Sequence, residues 1–173
     1  PISVHFGGIK GVQDLSLCLL ENEILALIGP NGAGKTTAFN VITGVYEATL
    51  GVAKAFGQNL RGLQVHEVTE LGLARTFQNI RLFKDLTVRD NILVALDRTS
   101  PSSTFRSLFR PPAFYRDEEK KNSRVNELLS ILKLDRVAEG TLARNLPYGV
   151  QRRLEIARAI ATGCRILLLD EPA

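Results

Sequence analysis

The chain has 173 residues, of which 45% are hydrophobic and 23% charged, and a net charge of +4. That is about one domain of ordinary globular composition, which excludes a disordered or collagenous chain and removes the need for a disulfide framework. No apolar run approaches the ~20 residues of a membrane span, and a +4 balance is too mild to imply a nucleic-acid partner.

Ile2–Phe6 and Asp14–Leu20, with Gly7-Gly8 between them, read as an antiparallel β region. Ile24–Ile28 is a continuous apolar run, expected to be a strand buried on both faces. Lys35–Thr43 reads as a helix stopped by Gly44, Val52–Phe56 as a strand, Gln64–Leu71 as a short helix and Ala74–Gln78 as a strand. Val88–Leu96 carries a helical apolar face of Val88, Ile92, Ala95 and Leu96. Residues 98–112 hold Pro101, Pro111, Pro112 and several serines, and read as a loop or insertion. Glu118–Leu134 places Val125, Leu128, Leu129 and Leu132 at i, i+3, i+4 and i+7, a strong amphipathic helix. A further helix is expected over 149–162 and a last strand over 165–170. Strands alternating with helices argue for an α/β fold with a helical block inserted at about 80–150.

Two features lie outside this pattern of elements. Cys18 and Cys164 belong to no CxxC or CxxH pattern and are expected to be buried, reduced thiols. The chain has no Met and stops at Glu171-Pro172-Ala173, directly after an apolar run, so it reads as a segment of a longer protein.

Gly29-Pro30-Asn31-Gly32-Ala33-Gly34-Lys35-Thr36 matches G-x-x-x-x-G-K-[ST]. Glycines let the backbone wrap so that successive N–H groups point at a β-phosphate, and the following helix adds its N-terminal dipole. Lys35 is placed to bridge β- and γ-phosphates, and the Thr36 hydroxyl to ligate Mg²⁺. Ile166–Leu169 is an apolar run ending in Asp170 and Glu171. At the carboxyl end of a strand beside a phosphate loop, Asp170 can hold the Mg²⁺ shell. Glu171 can there activate water in line with the γ-phosphate.

With these motifs, the chain resembles the ATP-binding subunits of ABC transporters. The residues that carry the resemblance are Gly29–Thr37, Arg75-Thr76-Phe77-Gln78, Leu146–Ile156 and Leu168–Pro172, in the family's order and over nearly the whole chain. Phe6-Gly7-Gly8, Arg75–Phe83, the insertion around 100–117 and Gln151–Ile156 are similar to the branched-chain amino acid importer type. The resemblance implies a P-loop ATPase with a mixed sheet core, an antiparallel β region and an inserted helical subdomain, its C-terminal part missing. It implies a nucleotide-binding core at 1–78, a helical subdomain with the basic insertion at 79–148, and the signature helix and last core strand at 149–173.

The resemblance also implies roles. Phe6 would stack on adenine and Val12 would cover the ribose. Asn31, Gly32, Ala33, Gly34, Lys35, Thr36 and Thr37 would hold the phosphates. Gln78 would reach Mg²⁺ and the attacking water, with Thr36 and Asp170 as the other metal-side residues and Glu171 and Lys35 as its fellow catalytic groups. Tyr148 and Gly149 would face the γ-phosphate bound by a second subunit in a head-to-tail dimer. Residues 79–96 would face a transmembrane permease on the cytoplasmic side of the membrane, with a substrate-binding protein completing the system. ATP and Mg²⁺ are the implied cofactors, and no nucleic acid is expected. Pro147 departs from the family's L-S-G-G-Q by removing a Ser hydroxyl and its own N–H, and Val150 removes a polar side chain. Hydrolysis in a longer form would be weakened, or would lean on Gly149 and the helix dipole. The 173-residue chain itself is expected to bind ATP weakly and turn it over very slowly.

Other readings stay open at this stage. The chain could be a soluble ABC ATPase acting on DNA or ribosomes, or an inactive nucleotide-binding fragment. Arg152, Arg153 and Arg158 read as a solvated basic face. The basic and aromatic residues of 98–124 read as a surface excursion packed on the helical block, with a membrane or nucleic-acid contact as alternatives.

Overall fold

A computed structural model of the chain describes residues 1–76, 78–97, 112–137 and 140–171, with backbone alone for 112–115. The insertion 98–111 and Phe77 lie outside the described residues. The chain divides into two compact units, Pro1–Leu73 and Ala74–Ala173. Among the described residues the strands form three two-stranded sheets.

In the first unit, β1 (Ile2–Phe6) and β2 (Ile9–Leu15) form an antiparallel hairpin across Gly7-Gly8, with Phe6 opposite Ile9 and Val4 opposite Val12. The second strand therefore begins five residues before the expected Asp14. A two-residue glycine turn is long enough to join the strands directly. The register shifts twice, and Asp14 sits at φ 48° near the end of the ladder. Ile2, Val4 and Val12 pack with Val41 and Ala48 into a small core. Val41 lies in α1 (Lys35–Ile42) and Ala48 follows it, so the hairpin is fastened to the helix that follows the loop 29–34.

The expected strand at Ile24–Ile28 is absent. Ile24 is 97% and Ile28 92% exposed, and among the described residues no backbone hydrogen bond joins 24–28 to another strand. A strand exists only through its ladder partners, and apolar composition cannot supply one. Val52–Phe56 is likewise reduced to β3 (Lys54–Ala55), paired with β4 (Gln58–Asn59). Phe56 and Gly57 between them both have positive φ, the geometry of a type I′ turn. Helix α2 (Val65–Glu70) is opened by a reciprocal capping box between Gln64 and Glu67.

Among the described residues the second unit is built on three α-helices, α3 (Val88–Asp97), α4 (Pro112–Ile131) and α5 (Tyr148–Ala161). Their core holds Val88, Ile92, Val125, Leu128, Leu134, Leu154 and Ala157, so the periodicities of the α3 and α4 sequences mark the faces that are buried. Helix α4 starts six residues earlier than expected, because Pro112 suits the first turn of a helix, where its missing N–H has no partner to lose. Asn91 is fully buried in this apolar setting. Its amide donates to the carbonyls of Phe83, Leu86 and Thr87, and its oxygen accepts from the Phe83 N–H. Every polar atom is thereby satisfied, which keeps its burial from being costly. The segment 83–87 is held in shape against α3. β5 (Leu73–Arg75) pairs with β6 (Ile166–Leu168), extended by Thr76 N–H to the Leu168 carbonyl at 3.0 Å.

Both cysteines are free, but Cys18 is exposed, not buried as the sequence suggested, since 16–20 joins no ladder. Burial pushes the Cys164 thiol above its ordinary pKa, and the thiolate is the reactive form. At pH 8, iodoacetamide therefore alkylates Cys18 well before Cys164, with the gap closing as pH rises; peptide mass spectrometry over time reads this, and equal rates at pH 8 contradict it.

Candidate functional site

In the first unit, Gly34 is the N-cap of α1 at φ 86°. An L-residue with a Cβ would be strained there, and that Cβ would also strike the Gly11 carbonyl and lie 2.9 Å from Val12 Cγ2. The loop therefore comes against β2 at a contact that only glycine allows. The first ladder bond of α1 runs from Ala38 N–H to the Gly34 carbonyl at 2.8 Å. The amides of Lys35, Thr36 and Thr37 precede that ladder, as in the first turn of any helix, and so offer donors together with the positive end of the helix dipole.

The Lys35 ammonium donates to the carbonyls of Gly29 at 2.7 Å and Pro30 at 2.9 Å, which bends the side chain back across its own loop. Both bonds are to neutral acceptors, and a phosphate oxygen would be the stronger partner. Asn31, Gly32, Ala33 and Thr36 are exposed on this loop. Phe6 is 45% exposed and meets Tyr46 edge-on, with ring centroids 5.3 Å apart. The Phe6 ring lies over Gly11, where an added Cβ would approach its Cε2 to 2.8 Å. Val12 is 8% exposed and belongs to the core of this unit.

In the second unit the two carboxylates behind β6 point different ways. Asp170 is 8% exposed, and its Oδ2 accepts from Arg75 Nη2 at 2.7 Å. Glu171 is exposed, and its Oε2 accepts from Gln78 Nε2 at 3.0 Å. Strand alternation does not produce this divergence, because β6 ends at Leu168 and the turn is made by Glu171 itself at φ 49°. The structure thus brings Gln78 and Glu171 together across 93 residues of sequence. Within this unit Asp170 and Gln78 offer carboxylate and amide oxygens, and within the first unit Thr36 offers a hydroxyl, each by itself a donor type that suits Mg²⁺.

The three arginines of α5 do not form a solvated face. Arg152 is 6% exposed. Its Nη1 donates to Glu155 Oε2 at 2.6 Å, and its Nη2 donates to the carbonyls of Asp170 and Glu171. Arg153 and Arg158 each have a buried Nε, and Arg158 stacks 4.7 Å from the centre of the Phe83 ring while donating to the Arg81 carbonyl. Burial lowers the Arg158 pKa, with Glu155 opposing the shift. The sequence placed Arg152 on a solvated face and gave Arg75 and Glu155 no role of their own. The available signal was the i, i+3 spacing of Arg152 and Glu155 on one helix, which permits an ion pair. Tyr148 is 68% exposed and, with Gly149, opens α5 after Pro147. The Pro147 carbonyl accepts from Val150 and Gln151, so the Tyr148 and Gly149 amides precede the ladder.

A family described as ABC transporter matches residues 12–173. The chain is 43% identical over 172 residues to the high-affinity branched-chain amino acid transport ATP-binding protein BraF of Pseudomonas aeruginosa, covering 99% of this chain and 67% of that protein. It is 44% identical to the corresponding ATP-binding protein LivG of Salmonella typhimurium, with the same two coverages of 99% and 67%. Among solved structures, the ADP conformation of an ATP-binding cassette of an ABC transporter matches with a TM-score of 0.77 at 30% identity, over 99% of this chain and 66% of that one.

The contact between Gly34 and β2 is directly testable. Gly34→Ala should lower stability by more than the ~1–2 kcal/mol that a left-handed backbone alone costs an L-residue. Gly57→Ala, at φ 80° in open space, should lose only that amount. Urea unfolding of the two variants measures the difference, and equal losses contradict the close packing of the loop on β2.

Proposed function

Because the chain belongs to the ABC transporter family, we propose that it is the ATP-binding and ATP-hydrolysing part of an importer for branched-chain or related hydrophobic amino acids. The observation that carries the reading is the loop 29–37, in which a lysine ammonium, exposed loop residues and a helix N-terminus converge at a glycine that cannot be replaced without collision. The α/β fold is the one shared with known ATP-binding cassettes. The substrate class follows the two relatives, each a branched-chain amino acid transport protein by name.

The loop amides and the α1 dipole hold the β-phosphate of ATP, and Lys35 exchanges its two carbonyl acceptors for phosphate oxygens. Phe6 offers an exposed ring for the adenine. Val12, in the core of this unit, backs the ribose side. Thr36 would offer its hydroxyl to Mg²⁺, and Gln78 and Asp170 would offer oxygens of the kind that Mg²⁺ takes. Mg²⁺, when bound, neutralises charge on the β- and γ-phosphates. Glu171 accepts a proton from the attacking water, and Gln78 orients that water. The γ-phosphoryl group moves to the water oxygen, leaving ADP and phosphate. The exposed Tyr148 and Gly149 amides serve the γ-phosphate of a second copy in a head-to-tail pair. Residues 79–96 face the permease, and a substrate-binding protein delivers the amino acid on the far side of the membrane.

Two substitutions in the whole cassette test this. Lys35→Ala should abolish productive ATP binding, read by nucleotide titration. Glu171→Gln should leave ATP binding intact and slow turnover about 10²–10⁴-fold, the usual range for a lost general base. Ordinary turnover in the Glu171→Gln protein would show that Glu171 is not the base.

A further inference from the structure

We propose that Arg152 is a positioning residue for the Glu171 carboxylate, holding the backbone that aims it. The assignment rests on the ATPase reading above and adds to it a residue on a different element.

Two observations meet at this point. Glu171 lies at φ 49°, a left-handed conformation that glycine tolerates and glutamate does not favour. Such a residue persists where its surroundings over-determine it. A guanidinium supplies such surroundings here: Arg152 Nη2 donates both to the Asp170 carbonyl and, at 2.9 Å, to the Glu171 carbonyl. These two carbonyls bracket the Glu171 N–Cα–C unit, so one donor group fixes the peptide on each side of the unusual φ.

The guanidinium is itself immobilised. Arg152 and Glu155 are each 6% exposed, and their ion pair is 2.6 Å long. Glu155 Oε1 also accepts from the Arg81 N–H at 3.4 Å, and Arg81 lies three residues after Gln78. Arg75 holds the neighbouring Asp170 side chain at 2.7 Å. Among the described residues the Glu171 carboxylate therefore has a side-chain partner in front, Gln78, and a fixed backbone behind. Arginine suits this work because its planar fork reaches an acid and two carbonyls at once, whereas a lysine presents a single point charge. The place of Arg152 on α5, four residues after Tyr148, also joins the base to the helix whose N-terminus is offered to a second copy.

The test uses the whole cassette in its transporter complex. Arg152→Lys keeps the charge and loses the fork. The double substitution Arg152→Met with Glu155→Leu removes both charges together, so no lone buried ion remains to unfold the chain. If the double variant fails to fold, Arg152→Lys supplies the same comparison. Either variant should lower kcat for ATP hydrolysis about 10–100-fold, the scale of a slightly misplaced reacting group, with KM for ATP unchanged. In a Glu171→Gln background the same substitutions should change the residual rate less than about twofold, because groups that act as one unit are not additive. An unchanged kcat, an equal fractional loss in both backgrounds, or a loss carried by KM would overturn the assignment. Absence of ATP hydrolysis by the unsubstituted complex would overturn the ATPase reading and this assignment with it, whereas normal turnover in both variants overturns this assignment alone.

Discussion

The buried guanidinium of Arg152 is the contact on which the second unit's chemistry depends. It lies between a helix and the end of a strand, where it holds an acid on its own helix and two carbonyls beyond β6. A buried charge is stable only when paired and hydrogen-bonded. That demand works in both directions here. The carbonyls and Glu155 keep the arginine inside, and the arginine keeps Asp170 and Glu171 in a bend that a strand would not adopt. Divergence of the two carboxylates follows from that bend, with Asp170 turned to Arg75 and Glu171 to Gln78.

The first unit solves a related problem with neutral groups. Its loop gathers amides and an ammonium at one place, with the ammonium held by neutral carbonyls. Gly34 makes room by giving up a side chain, and the loop settles against Gly11 and Val12. Lys35 is kept in reach of the loop by two carbonyls, which are good enough to hold it and weak enough to be exchanged for an anion. Loop and carboxylates thus use opposite devices: a missing side chain in one unit, a heavily bonded one in the other.

Much of this was legible in the sequence, and the rest was not for identifiable reasons. The apolar faces of α3 and α4 could be read because their periodicity reports burial directly, and Val125, Leu128 and Ile92 are completely buried. Lys35, Thr36, Asp170 and Glu171 stood out because their spacing carries a mechanism. The apolar run at Ile24–Ile28 misled, since composition says that a segment is apolar but not which strand will pair with it. The β3–β4 turn at Phe56-Gly57 was missed because Phe is not a residue that signals positive φ. Arg152 was misjudged for a subtler reason. An arginine on a helix is usually solvated, and only its distant partners, 18 and 19 residues onward, reveal that it is buried.

The most direct test of the account is a structure of the whole cassette with Mg²⁺ and a non-hydrolysable ATP analogue. The account predicts the terminal phosphates on the amides of 32–37, with the Lys35 ammonium moved from the Gly29 and Pro30 carbonyls onto phosphate oxygens. It also predicts Glu171 facing the γ-phosphate while Arg152 still holds the carbonyls of Asp170 and Glu171. A nucleotide bound away from the loop, or Lys35 unmoved beside a bound one, would contradict it.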